Sequence, residues 1–294
     1  MPRPLNRQTG PGAPLAGILC VALSAVAFGA LPIFIKGAYA SGAETVAVLA
    51  LRFTLAALLM SSLMLLRRQP WPRGRNLLIL IAMGGIGYVG QSFCFFSALN
   101  HASAGLVSLL LYLYPALVTL FAALFLNQPL SRTKAMAVAA ALAGTALIVG
   151  GDASGSLTGV LLGIGAAVIY SVYILVGSRL MQAEGALPAA TVVMLSAGAV
   201  FTALAVCTQP ALPAGGAGWA AVVAIALVST VIAMVCFFAG LARLGAADAA
   251  TISTLEPLVT VLLASLLLGE KLTLATVAGG GIILAALVVL ARSR

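Results

Sequence analysis

Charge is what this sequence has least of. Only 7% of its 294 residues are Asp, Glu, Lys or Arg, against about a quarter in an ordinary soluble domain, so water is not its main solvent. No stretch between apolar segments is long enough to build a separate core, and the longest charged connection, Arg67 to Arg75, reads as a loop. Histidine occurs once and acids six times, all scattered. An enzyme needs a nucleophile with a base, paired acids or a metal cluster facing one pocket, and this inventory argues against one. His101, in a short turn between two apolar segments, reads as a solvated interfacial residue and not a catalytic one. The four cysteines, Cys20, Cys94, Cys207 and Cys236, lie inside apolar runs without CxxC spacing, as packing residues do, and imply no metal. The glycine clusters at Gly84–Gly90 and Gly279–Gly281 follow nothing resembling a strand, and no Lys-Ser or Lys-Thr comes after them. They imply close helix approach in lipid and no phosphate loop or ATPase module. No cofactor is called for.

What fills the chain instead is apolar sequence, 63% of it, in runs long enough to span a bilayer. About 20 residues per crossing predicts helices over 16–35, 46–66, 77–99, 102–126 and 135–151, then over 157–178, 188–207, 217–240, 246–268 and 274–291. The first run follows Arg3 and Arg7 as a secretory signal would, but apolar segments continue to the C-terminus, and it reads as a retained first helix. With the N-terminus in the cytoplasm, twelve basic residues fall on that side, Arg67, Arg68, Arg73, Arg75, Arg132 and Arg294 among them. Only Lys36 and Lys271 fall outside, with Arg52 left inside the second span. The asymmetry predicts a multi-pass protein of a bacterial inner membrane with both termini cytoplasmic. The net charge of +9 then reports topology and contact with anionic lipid headgroups, and no nucleic-acid partner is needed.

The sequence also repeats itself. A shift of 142 residues lays Cys94-Phe95-Phe96 on Cys236-Phe237-Phe238, Pro115 on Pro257 and Gly17 on Gly159 without a gap. Five spans per copy is odd, so the second copy enters the membrane from the opposite face. The fold class expected is therefore all-α and integral to the membrane, with ten transmembrane helices forming two inverted five-helix repeats, about 14–151 and 156–291, in one transporter domain. Inverted repeats allow two nearly equivalent packings, one open to each side, with a small molecule held between them near the midplane.

Several local motifs resemble the drug/metabolite transporter superfamily with paired EamA domains. They are Ala25-Val26-Ala27-Phe28-Gly29, Leu51-Arg52-Phe53, Tyr114-Pro115 with Leu126-Asn127-Gln128, and Leu255-Glu256-Pro257 with Leu268-Gly269-Glu270-Lys271-Leu272. Within that superfamily the chain looks most like the YddG-type exporters of aromatic amino acids. The resemblance implies a transporter of small organic molecules, with other metabolites, drugs or a channel-like facilitator as alternatives. Gln128 stands where the family usually carries an acid. Nothing in the sequence fixes an oligomeric state, and a monomer is compatible with it.

Candidate binding residues come from polar groups in the wrong place. Tyrosine in a membrane protein belongs at the headgroup level, yet Tyr88, Tyr112, Tyr114, Tyr170 and Tyr173 fall well inside predicted spans. Their hydroxyls need interhelical partners or a wet cavity. Tyr88, Gln91 and Phe95 share one helix face, as do Ser108, Tyr112 and Pro115. Glu256, about 16 Å along its helix, is near the bilayer centre, where an acid is either functional or a neutral structural hydrogen-bond partner. Pro257 frees the carbonyl of Ser253 beside it. Arg52 is either paired structurally, with Glu44 or a helix end, or available to a substrate carboxylate.

Overall fold

The computed structural model describes residues 13–151 and 155–292, so Arg3, Arg7 and Arg294 lie outside the described residues. Among the described residues, ten helices are long and apolar enough to cross a membrane. The first, α1, runs Ala13–Gly29 and then Leu31–Ala40; α2 is Thr45–Leu66; α3 starts as Gly74–Ala82, continues as a π-helical turn Met83–Tyr88 and ends as Val89–Ala98. Next, α4 is Ala104–Leu111 followed by Tyr114–Leu126, and α5 is Arg132–Gly151. In the second half, α6 is Leu157–Glu184, α7 is Ala186–Thr208, and α8 runs Gly215–Ala226, π-helical Leu227–Ile232 and Ala233–Leu244. Finally α9 is Ala246–Ser253 then Leu255–Leu268, and α10 is Leu274–Arg292. In a bilayer the helix satisfies its own backbone, which is why segments with so few polar residues fold this way. Side chains serve the ends: Ser103 Oγ accepts from Leu106 N at the start of α4, and Ser156 Oγ from Gly159 N at the start of α6, both at 3.2 Å.

Two features depart from expectation. The first helix continues past residue 35 to Ala40, so Lys36 is helical rather than in a loop. Pro32, at the start of its second piece, needs no hydrogen-bonded N–H there, so the helix resumes after the interruption at Ala30. The other departure is the pair of π-helical turns in α3 and α8, which nothing in the apolar pattern marks.

The repeat is visible in the packing. α5 lies along α10 and α2 along α7, each helix against its own repeat mate. α1 packs on α8 as α3 packs on α6, and these two pairs exchange under the same shift. The pseudo-two-fold axis therefore passes between α2 and α7 and between α5 and α10, with α4 and α9 flanking the centre. Close approach on the axis depends on glycine. A Cβ on Gly144 would sit 2.7 Å from the Gly279 carbonyl oxygen, and one on Gly279 2.6 Å from that of Gly144. One face of the bundle carries Arg67, Arg68, Arg73, Arg75, Arg132, Lys134 and Arg243 in or beside its connections and is called the basic face; the far face carries the turns at 41–44, 99–103, 209–214 and 269–273.

Candidate functional site

The central cavity begins where α4 and α9 are interrupted. Tyr112 caps the first half of α4 and Thr254 the first half of α9, positions equivalent under the repeat, each just ahead of its mid-helix proline. A proline removes a backbone donor and orphans the carbonyl four residues earlier. For Pro257 that carbonyl belongs to Ser253, and the Tyr112 hydroxyl donates to it at 3.0 Å. The same hydroxyl lies 2.7 Å from Glu256 Oε2. One phenol thus ties the break in α4 to the break in α9.

Around these breaks lie two adjoining chambers. The first, about 110 Å³, is lined by Arg52, Gln91, Ser92, Ser108 and Thr260 together with Phe28, Phe95 and Phe96. The second, about 320 Å³, is mostly apolar, with Ile174, Val193, Met194, Met234, Phe237 and Phe238 in its wall. Tyr88, Tyr112, Tyr114, Tyr170 and Glu256 border both. Every candidate named from sequence lies on these walls: Arg52, Gln91, Phe95 and Ser108 in the polar chamber, Tyr173 in the apolar one, and the other five shared.

The tyrosines form a continuous wall. Ring centroids run from Tyr112 to Tyr114 at 5.8 Å, Tyr114 to Tyr170 at 4.9 Å, Tyr170 to Tyr173 at 5.9 Å and Tyr173 to Tyr88 at 5.5 Å. Phe53 extends it to α2, 5.5 Å from Tyr88. Such spacings suit edge-to-face and offset contacts. Tyr88 is the last residue of the π-helical turn in α3; the extra residue of such a turn rotates the remainder of the helix, and π-turns gather at functional sites.

Arg52 is only 4% exposed, and its partners among the described residues are uncharged. Its Nε donates to Thr230 Oγ1 at 3.1 Å, Tyr88 adjoins it, and its guanidinium lies 4.9 and 5.2 Å from the ring centroids of Phe53 and Phe96. The pairing with Glu44 considered from sequence is not formed. Glu44 sits in the far-face turn, where its backbone N–H donates to the Ala211 carbonyl. Thr230 belongs to the π-helical turn of α8, and its hydroxyl donates to the Ile225 carbonyl five residues back, at 2.8 Å, while accepting from Arg52. No sequence signal marks Thr230. Phe28 was visible only as part of a motif in the first helix, and it borders both chambers.

The two faces differ. At the far face the second half of α9 packs along the first half of α4, Glu270 accepts hydrogen bonds from Ala104 N and Gly105 N, and Lys36 Nζ donates to Ala102 O at 3.0 Å. Ser156 N also donates to His101 O, and Ala214 N to Ser41 O. At the basic face the second half of α4 stands off the first half of α9, and a vestibule of about 610 Å³ lies between them, reaching Gln128 and Lys134. The chambers therefore open toward the basic face.

Comparison with known proteins accords with this geometry. A solved structure superimposes with a TM-score of 0.68 over 95% of this chain and 98% of its own, at 24% identity, a likeness of fold. The uncharacterized transporter YcbK of Bacillus subtilis is 32% identical over 195 residues, 63% of this chain and 61% of the relative. The aromatic amino acid exporter YddG of Ancylobacter novellus is 34% identical over 119 residues, 38% of this chain and 39% of the relative. The chain thus matches less than two thirds of either relative's length. The EamA-like transporter family model matches twice, at residues 15–150 and 157–292, one match per five-helix repeat. With ten apolar helices, a doubled family match and a central cavity, the chain belongs to the EamA-like transporter family of membrane proteins.

Proposed function

We propose that this protein exports small organic metabolites, foremost amino acids with aromatic or large apolar side chains, by alternating access through the cavity between its repeats. The observation that carries this reading is the junction of a small polar chamber with a larger apolar one beneath a wall of five tyrosines. A molecule with a polar head and a flat apolar body fits that division. Arg52, buried and with no anionic partner among the described residues, is placed to receive a carboxylate, while Glu256, Gln91 and Ser108 offer acceptors to an ammonium group. The similarity to an aromatic amino acid exporter points the same way.

The basic face is cytoplasmic in this reading, as the positive-inside bias requires in a bacterial inner membrane, so the cavity is open on the side where an exported substrate loads. The two repeats act as one transporting unit.

Counterflow tests the proposal. In liposomes of purified protein preloaded with unlabelled phenylalanine, labelled phenylalanine should accumulate transiently, and tryptophan and tyrosine should compete where glycine and glutamate do not. Saturable flux of an unrelated metabolite with no response to aromatic amino acids would reassign the substrate, and flux without counterflow would mean a pore.

A further inference from the structure

The two faces are equivalents under the repeat, yet only one is latched. At the far face Glu270 accepts from Ala104 N at 2.7 Å and from Gly105 N at 3.1 Å. These are among the first N–H groups of a helix, which have no partner within it. A carboxylate there gains two charge-assisted bonds and the favourable end of the helix dipole. The shift of 142 residues carries Glu270 to Gln128, and Ala104 and Gly105 to Ala246 and Ala247 at the start of α9. The backbone that aims the two side chains is the same. Asn127 and Gly269, the residues before them, are both left-handed, with φ of 52° and 67°. Gln128 N donates to Ala122 O and Glu270 N to Ala264 O, again equivalent, each at 3.2 Å. What differs is the target: Gln128 is exposed on the vestibule wall, apart from α9.

We propose that Gln128 is the counter-latch of the basic face. When the second half of α4 swings onto the first half of α9, its side-chain amide oxygen docks on the N–H groups of Ala246 and Ala247, closing the basic face as Glu270 releases the far one. The inference rests on the alternating-access reading above. It also assigns a bias. An amide has one acceptor oxygen for two N–H groups and no charge for the helix dipole, and the equivalent of Lys36 is Ser178, which adds no cation. Closure of the basic face is therefore held more weakly than closure of the far face, and the form open to the basic side is the resting one.

Paired spin labels read both faces in lipid nanodiscs, in a background lacking the four native cysteines. Leu130 with Arg243 reports the basic face, and its repeat equivalent, Leu272 with His101, the far face. The wild type should show a long basic-face and a short far-face distance. Gln128→Glu should raise the population with the opposite pattern by about tenfold, through a charged contact at a helix start. Gln128→Ala should lower it, and Glu270→Gln should raise it by loosening the far latch. Gln128 is exposed, so its variants should melt with the wild type. If Glu270→Gln moves the distances while both Gln128 variants match the wild type, the counter-latch is wrong and alternating access stands. If neither pair moves in any variant, with or without saturating phenylalanine, alternating access fails and the latch fails with it.

Discussion

Hydrogen counting at Tyr112 bears on the state of Glu256. The phenol has one hydrogen and two neighbouring acceptors, the Ser253 carbonyl and Glu256 Oε2. A neutral carboxyl that donates to the phenol oxygen, leaving the phenol hydrogen for Ser253, satisfies all three groups, and it avoids an unpaired carboxylate deep in the bilayer. Glutamine can donate to the same oxygen. Glu256→Gln should therefore keep most of the exchange activity, and transport by the wild type should depend only weakly on a proton gradient; a strong gradient response lost in Glu256→Gln would overturn this. Tyr112→Phe strips the Ser253 carbonyl of its donor and should cost about 1–3 kcal/mol in unfolding measurements. At Arg52 the readout is selectivity. Arg52→Gln should abolish competition by tryptophan while sparing binding of tryptamine, which lacks the carboxylate, and equal loss of both would make Arg52 a packing residue.

At the scale of the helix, breaks and close approaches decide what moves and what holds. Gly279 and Gly281 are two residues apart in α10, but an added Cβ at Gly279 meets the Gly144 carbonyl oxygen at 2.6 Å, whereas at Gly281 it meets open space. Gly279→Ala must push α5 and α10 apart and should destabilise by about 1–3 kcal/mol, while Gly281→Ala should leave the melting temperature the same or slightly raised. The helix positions were legible in the sequence because most charges gather in or beside the connections, Arg52 and Glu256 excepted, and the breaks because Pro115 and Pro257 stand in equivalent places. The tyrosine wall was legible because tyrosine is conspicuous away from the headgroups. The π-turns were not. A helix apolar on every side has no amphipathic phase, so one extra residue shifts nothing that hydropathy can register. The partner of Arg52 was hidden for a related reason: Thr230 is far away in sequence, and no local spacing encodes which helix of the second repeat faces α2.

For the molecule as a whole, orientation is the first thing to measure. Single cysteines replacing Arg73 or Arg132 should react with an impermeant maleimide only from the cytoplasm, and one replacing Leu212 in the far-face turn only from outside. Labelling of Arg73→Cys from outside would reverse the assignment of the two faces. The axis has a different consequence. Because α2 packs on α7 and α5 on α10, exchanging the roles of the two repeats returns each pair to itself. Free energy stored in such a pair counts toward folding but cancels from the difference between the two packings, whereas contacts of α4 with α9 do not cancel. Phe201→Leu, which removes the ring stacked 5.6 Å from Phe53, should thus lower the melting temperature and change the ratio of the two forms far less than the Gln128 variants do. Durability and direction of facing are then set by different residues and can be tuned one at a time.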